Sequence, residues 1–387
     1  MIAREISAEL RQLLGEYPVV TLLGPRQAGK TTLAQMTLPG FDYVNLELPD
    51  VRQFATDDPK GFLADLTTPV ILDEIQRAPL LLSYIQAHVD RDGRNGQYVL
   101  TGSYQLQLHE AITQSLAGRT AVLTLYPLSI SELTSAGTVF DSAFDWIIQG
   151  FLPRIYDKKQ RATIAYGNYY QTYVERDVRQ LIKLKDLSLF DKFMRLLAGR
   201  AGQLMDYSSL ANDVGVSDKT VKEWLSVLQA SFLIYRLPPY HTNFGKRVIK
   251  APKYYFTDTG LLAYLLGLET SDHVRRDPLV GQLFENLVVI ECLKALANQG
   301  KRSQLYFYRD SNGNEVDILF DRGRELVPIE VKASSTYSAR LMKGLKRIRS
   351  LTDNIREGYL VYNGDPMTFS DGTRALRFDQ VSVLFER

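Results

Sequence analysis

The stretch Gly24-Pro25-Arg26-Gln27-Ala28-Gly29-Lys30-Thr31, with Thr32 after it, constrains this chain more than any other. It follows the apolar run Pro18-Val19-Val20-Thr21-Leu22-Leu23 and leads into Leu33-Ala34-Gln35-Met36, where the apolar spacing turns helical. Strand, glycine loop and helix in that order make an anion cradle. Its glycines let successive backbone N–H groups point inward, and the helix N-terminus adds the positive end of its dipole. Lys30 is then expected to reach terminal phosphates and Thr31 to ligate Mg2+, so residues 24 to 32 predict a site for Mg-ATP.

Pro69-Val70-Ile71-Leu72-Asp73-Glu74 reads as a buried parallel strand ending in two carboxylates, and it looks like a Walker B element. Asp73 is expected to hold Mg2+ through its water shell, and Glu74 to polarise the attacking water as general base. A P-loop kinase for a small molecule is the alternative from another class, but it does not need Glu74. A further strand, Gln97-Tyr98-Val99-Leu100, ends in Thr101-Gly102-Ser103, where Ser103 is preferred to Thr101 as the sensor of the γ-phosphate. Asn45 ends the strand Asp42-Tyr43-Val44-Asn45-Leu46; either its amide restrains Glu74 or it is a strand-terminating turn residue. Helical segments separate these strands, which predicts a parallel sheet covered on both faces with the nucleotide at its C-terminal edge.

At 387 residues the chain is too long for one ordinary core. No apolar run approaches the roughly 18 residues of a membrane span, and the charged, amphipathic start is unlike a signal peptide, so a cytoplasmic protein with no membrane partner is expected. Cys292 is the one cysteine and reads as core. The net charge of +2 hides a division: residues 1 to 153 hold 10 Lys and Arg against 17 Asp and Glu, residues 154 to 260 hold 18 against 10, and the remainder 18 against 17. A basic middle segment is the footprint of a nucleic-acid contact, or only a solvated surface.

The order of cradle, acidic strand and polar-ended strand resembles the AAA+ and STAND groups of ATPases. Leu116-Ala117-Gly118-Arg119, Leu125-Tyr126-Pro127-Leu128-Ser129 and Glu132-Leu133 resemble a narrower family, the bacterial and archaeal AAA-type ATPases with a C-terminal domain of uncharacterised function. Gly150-Phe151-Leu152-Pro153, similar to a Gly-x-Pro lid motif, and Tyr173-Val174-Glu175-Arg176-Asp177-Val178 extend the resemblance over nearly the whole chain. It implies that Pro153 packs on the adenine, although Phe151 stands where the family usually has a second glycine. It also implies an arginine finger, for which Arg119 is the candidate ahead of Arg154 and Arg176. Such a finger commonly comes from the neighbouring subunit, so a homo-oligomer is expected. An ordinary surface arginine is the competing reading of Arg119.

Residues 191 to 201 read as a helix, followed by a second helix, a tight turn at Gly215 and a third helix capped by Ser217. That is helix-turn-helix spacing, with Asp218, Lys219, Thr220, Lys222 and Glu223 outward and Val221, Trp224, Leu225 and Leu228 inward. Residues 232 to 237 and 253 to 256 look like the strands of a wing, joined by a loop bearing His241, Lys246, Arg247 and Lys250. The winged helix serves either DNA or a protein contact. Towards the C-terminus, a helix with Glu285, a strand with Asp317 and a strand with Glu330-Val331-Lys332 resemble the PD-(D/E)xK nuclease fold. In a strand Glu330 and Lys332 share a face, so Asp317, Glu330 and Glu285 are candidate metal ligands and Lys332 a candidate catalytic cation. The expected α/β chain thus comprises an ATPase core (1–135), a helical lid (136–190), a winged helix (191–265) and a nuclease-like domain (266–387). It is expected to hydrolyse Mg-ATP and engage DNA, with an inactive, recognition-only nuclease module as the alternative.

Overall fold

A strand that is apolar along its whole length has two faces to bury, and parallel pairing beneath helices on both sides buries them. The computed structural model describes residues 2–103, 114–178, 186–240, 250–352, 354–370 and 372–386. It contains such a sheet, built from β1 (Val19–Gly24), β2 (Asp42–Asn45), β3 (Val70–Asp73), β4 (Tyr98–Ser103) and β5 (Thr120–Thr124). All pairings are parallel and the order is β2-β3-β4-β1-β5. The two-residue period of the strands sorts their side chains onto opposite faces. Val19, Leu23, Val70, Leu72, Tyr98 and Leu100 pack with Leu81, Leu82, Ile85 and Val89 of the helix Leu81–Asp92. On the other face, Val20, Leu22, Ile71, Val99 and Leu123 meet Leu10, Leu33 and Ala34. Each large aliphatic buried this way contributes about 1.5–3 kcal/mol.

The chain forms two compact units. The first is Met1–Leu128 with Ala230–Phe232 and Ala297–Lys301, and it holds this sheet. The second comprises Ser129–Gln229, Leu233–Leu296 and Arg302–Arg387.

In the second unit, the helices Leu187–Ala198, Tyr207–Val214 and Asp218–Ala230 precede an antiparallel pair, β6 (Ile234–Leu237) and β7 (Lys253–Phe256). Phe190 and Phe193 meet Trp224 edge-on at 5.5 and 5.0 Å between ring centroids. The first helix starts at 187 rather than 191 because the Asp186 carboxylate accepts the Ser188 N–H at 2.8 Å and caps it. Gly215, at φ +95°, ends the second helix, and the Ser217 hydroxyl accepts the Thr220 N–H at 3.1 Å to cap the third. β6 begins at Ile234 rather than Phe232, whose φ of +55° is incompatible with a strand.

The remainder of the unit is a mixed six-stranded sheet and the long helix Val280–Asn298. β8 (Leu305–Arg309), β9 (Glu315–Asp321) and β10 (Leu326–Lys332) form an antiparallel meander. β10 continues in parallel to β11 (Tyr359–Tyr362), and the sheet closes with β12 (Met367–Thr368) antiparallel to β13 (Arg374–Arg377). Asn286 of the long helix is fully buried because its amide serves a backbone: Oδ1 accepts the Phe256 N–H at 2.9 Å and Nδ2 donates to the Phe256 carbonyl at 2.8 Å. Among the described residues no helix is long and apolar enough to cross a membrane.

Candidate nucleotide site and a second acidic centre

Parallel register brings the polar strand ends of the first unit together. Gly24 at the end of β1 pairs with Ser103 at the end of β4, and Asn45 with Asp73. The loop after β1 turns on left-handed backbone at Gln27 and Gly29, with φ of +62° and +91°. Gly24 admits no side chain, since a Cβ there would lie 2.1 Å from the Leu125 carbonyl oxygen. Arg4 pins the loop from outside, donating to the carbonyls of Ala28 at 2.8 Å and Tyr126 at 2.7 Å. Nothing in the sequence spacing pointed to Arg4, because the contact joins segments far apart in the chain.

Inside the loop, Lys30 Nζ donates to the carbonyls of Gly24 at 3.0 Å and Pro25 at 2.9 Å. Burial lowers its pKa to about 8, against the pull of Glu74 and Asp73 towards the charged form. Thr31 donates from Oγ1 to both oxygens of Asp73, at 2.9 and 3.0 Å, and Thr32 faces out from the same helical turn. Asp73 also accepts the Tyr43 hydroxyl at 2.9 Å and that of Thr101. A carboxylate and a hydroxyl in contact at a strand edge are hard oxygen donors of the kind Mg2+ takes, so the residues present suit that ion.

Glu74 adopts φ +59°, a costly conformation for a residue with a Cβ. Its N–H donates to Thr101 Oγ1 at 3.3 Å and its carboxylate accepts from Gln76 Nε2. Burial raises its pKa, opposed by Lys30. The idea that Asn45 restrains Glu74 is corrected: Asn45 Oδ1 accepts the Glu47 N–H at 2.8 Å, a local turn, and Gln76 is the amide on Glu74. Thr101 is committed to the two acids, whereas the buried Ser103 Oγ has no partner among the described residues. Tyr43 and Gln76 were not singled out from the sequence, since an aromatic in a strand and an amide after an acidic pair are unremarkable there.

Arg119 directly precedes β5, whose first residue Thr120 pairs with Val19 at the start of β1. It therefore lies at the sheet edge opposite Gly24, one strand length away, or ~16 Å. There it donates to Asp90 at 2.8 Å. Pro153 opens the helix Pro153–Asp157 in the second unit, and Arg154 is exposed. Phe151 is buried, stacked on Trp146 with Lys294 Nζ 3.5 Å from its ring centroid. The side chain of Arg176 lies outside the described residues, as do His241, Lys246 and Arg247; Lys250 is exposed.

The second unit holds another acidic centre. Asp317 Oδ2 accepts the Val331 N–H at 2.7 Å and Lys332 Nζ at 2.9 Å, and Lys332 also pairs with Glu330 at 2.9 Å. Burial, with Asp317 adding, raises the Glu330 pKa to about 8. Glu285 meets a different cation: Lys253 of β7 donates to it at 2.9 Å and to Glu315 at 2.6 Å, and Tyr255 donates at 2.5 Å. Burial opposes the Lys253 charge, but Tyr255, Glu285, Glu315 and Asp317 outweigh it and hold the ammonium well above its ordinary range. Each of these acids thus has a lysine of the chain itself as partner, and among the described residues no three His, Cys, Asp or Glu are grouped to hold a metal. This arrangement does not fit a metal shared by Glu285, Asp317 and Glu330. Lys253 escaped the sequence reading because it lies in the strand before the supposed nuclease segment.

Comparison with known proteins agrees with this geometry in the first unit. An AAA domain matches residues 16–134, and two domains of unknown function (DUF8612 and DUF4143) match 141–272 and 280–380. Together with the parallel sheet and its glycine loop, the match defines the N-terminal part as an AAA-type ATPase domain. The chain is 31% identical over 341 residues to an uncharacterized protein of Mycobacterium tuberculosis, covering 87% of this chain and 75% of that one, and it belongs to the same family. It is also 25% identical over 276 residues to an uncharacterized protein of Haemophilus influenzae, covering 67% and 64%. The Walker-type ATPase of Pyrococcus abyssi superposes with a TM-score of 0.44 at 15% identity, over 67% of this chain and 94% of that one.

Three outcomes follow from the charges. A Lys30 pKa of about 8 means that the ammonium is present below that pH and lost above it. Phosphate binding favours the charged form, so ATP affinity is expected to be flat below about pH 8 and to fall about tenfold per unit above it, until the higher pKa of the bound state is reached. Titration with a fluorescent ATP analogue measures this, and constant affinity up to pH ~9.5 contradicts it. In the second unit, Lys253→Met leaves the buried Glu285 without its cation, while Glu315 keeps Arg309 at 2.8 Å, and it is expected to cost roughly 3–5 kcal/mol in denaturant unfolding. Mn2+ is expected to shift the Tm of the parent and of Asp317→Asn with Glu330→Gln equally; a rise in the parent that the double variant abolishes would show that these acids still accept a metal.

Proposed function

We propose that this chain hydrolyses Mg-ATP at the 24–32 loop and uses the cycle to control engagement of DNA by its second unit. The observation that carries the hydrolytic reading is the meeting of Lys30, Thr31, Asp73 and Glu74 at one sheet edge. Thr31 and Asp73 would hold Mg2+, which supplies charge neutralisation on the phosphates when bound. Lys30 exchanges its loop carbonyls for phosphate oxygens. Glu74 takes a proton from the attacking water, and its buried, Lys30-facing carboxylate suits that role. Ser103, with its uncommitted hydroxyl, serves as γ-phosphate sensor. Because Arg119 lies at the far edge of its own sheet, it acts as a finger only on a neighbouring copy, and the reading includes a homo-oligomer.

For the DNA side, the three helices and the β6–β7 pair are read as a winged helix. Lys219 projects from the third helix with 87% of its side chain exposed, beside an exposed Lys222. The basic balance of residues 154 to 260 supports a phosphate-tracking surface. The C-terminal sheet is read as a nuclease-like fold that recognises rather than cleaves, because Lys253 and Lys332 already occupy its acids. No step is assigned there to Asp317, Glu330 or Lys332.

Glu74→Gln is expected to bind ATP normally and lose ~10²- to 10⁴-fold in turnover. Arg119→Ala is expected to be inactive alone, and mixing it with Glu74→Gln to restore partial activity by pairing an intact base with an intact finger. Turnover of Glu74→Gln within twofold of the parent removes the base assignment, and mixtures that recover nothing remove the finger. On duplex DNA, Lys219→Ala with Lys222→Ala should flatten the slope of log K against log salt by about 0.9 for each lost phosphate contact. An unchanged slope would assign this helix to a protein contact.

A further inference from the structure

Gln76 belongs to the short 3-10 turn Ile75–Arg77 that follows Glu74. The turn is held rigidly. Ile75 is fully buried in the apolar cluster beneath the sheet, and the Arg77 and Ala78 N–H groups donate to the carbonyls of Glu74 and Ile75 at 2.9 and 3.0 Å. This geometry folds the Gln76 side chain back so that Nε2 donates to Glu74 Oε2. The other end of the same amide, Oε1, is buried and has no hydrogen-bond partner among the described residues. A buried carbonyl left without a donor costs about 1–3 kcal/mol, so a rigid turn that keeps one beside a general base calls for a ligand that supplies the donor.

We propose that Gln76 is a positioning residue for ATP hydrolysis, holding the Glu74 carboxylate with its amide nitrogen while its carbonyl oxygen accepts a hydrogen bond from the attacking water. The inference rests on Glu74 being the base. Water has two hydrogens, and the pair offers two acceptors: one hydrogen leaves as a proton to Glu74 and the other is held by Gln76 Oε1. The water oxygen then forms the new bond to the γ-phosphorus, and the bond from that phosphorus to the bridging oxygen breaks with its electron pair going to ADP. Both actions of Gln76 require the amide and neither requires contact with ATP.

The test is steady-state turnover of the full chain against ATP concentration, with ATP affinity measured in parallel. Gln76→Ala is expected to lower kcat about 10- to 100-fold through loss of orientation, with ATP affinity within twofold. Gln76→Glu keeps the shape but replaces the amide donor by a second carboxylate, so it should lower kcat at least as far with ATP affinity again within twofold. It also guards against a truncation that only loosens the turn. A parent that turns over ATP, with either well-folded variant matching its rate, overturns the role of Gln76 and leaves Glu74 standing. A parent that binds ATP without hydrolysing it overturns the Glu74 reading and this one together.

Discussion

The nucleotide site depends on the side chain of Asp73. Hydroxyls from three separate elements donate to it: Thr31 from the helix after the glycine loop, Tyr43 from β2 and Thr101 from β4. Each can do so only because β2, β3 and β4 run parallel and end at the same edge. A buried carboxylate without partners is expensive, and neutral hydroxyls satisfy its oxygens without cancelling its charge. The charge therefore remains available to a cation. Lys30, whose burial lowers its own pKa, sits near enough for Asp73 and Glu74 to favour its charged form, so the cradle keeps opposite charges close without pairing them directly.

The acidic centre of the second unit solves the same problem differently. Asp317 and Glu330 are paired with Lys332, and Glu285 and Glu315 with Lys253. Cations supplied by the chain offset part of the kind of charge that hydroxyls leave intact in the first unit. An ion-pair network of this kind adds little net stability relative to apolar packing but penalises any arrangement that separates its members. Its consequence here is to tie β7 to the long helix and to β9, so that the helical module and the C-terminal sheet share one polar anchor.

A further buried network surrounds the motif at Gly150. Asp258, fully buried, accepts from the Tyr166 hydroxyl at 2.7 Å and from the N–H groups of Gly260 at 2.9 Å and Phe151 at 3.2 Å. Gly150 has φ +62°, and a Cβ there would lie 2.0 Å from the Tyr166 hydroxyl. Glycine is required at 150 by that contact. Position 151 tolerates the bulk of phenylalanine because Trp146 and Lys294 enclose its ring.

What the sequence determined by itself was whatever depends on neighbours along the chain. The glycine loop between an apolar strand and a helix, the acidic pair ending a buried strand, the Ser217 cap and the Gly215 turn are short-range patterns whose physics is complete within a few residues. The alternation that carries Glu330 and Lys332 to one face is of the same kind. Tertiary structure decided which polar groups meet. Arg4 on the loop, Tyr43 and Thr101 on Asp73, and Lys253 between Glu285 and Glu315 each join segments that only the sheet register and helix packing bring together. Gln76 lies only two residues from Glu74, yet it too was hidden, because its contact depends on a left-handed backbone at Glu74 that local preference disfavours and the surrounding packing imposes.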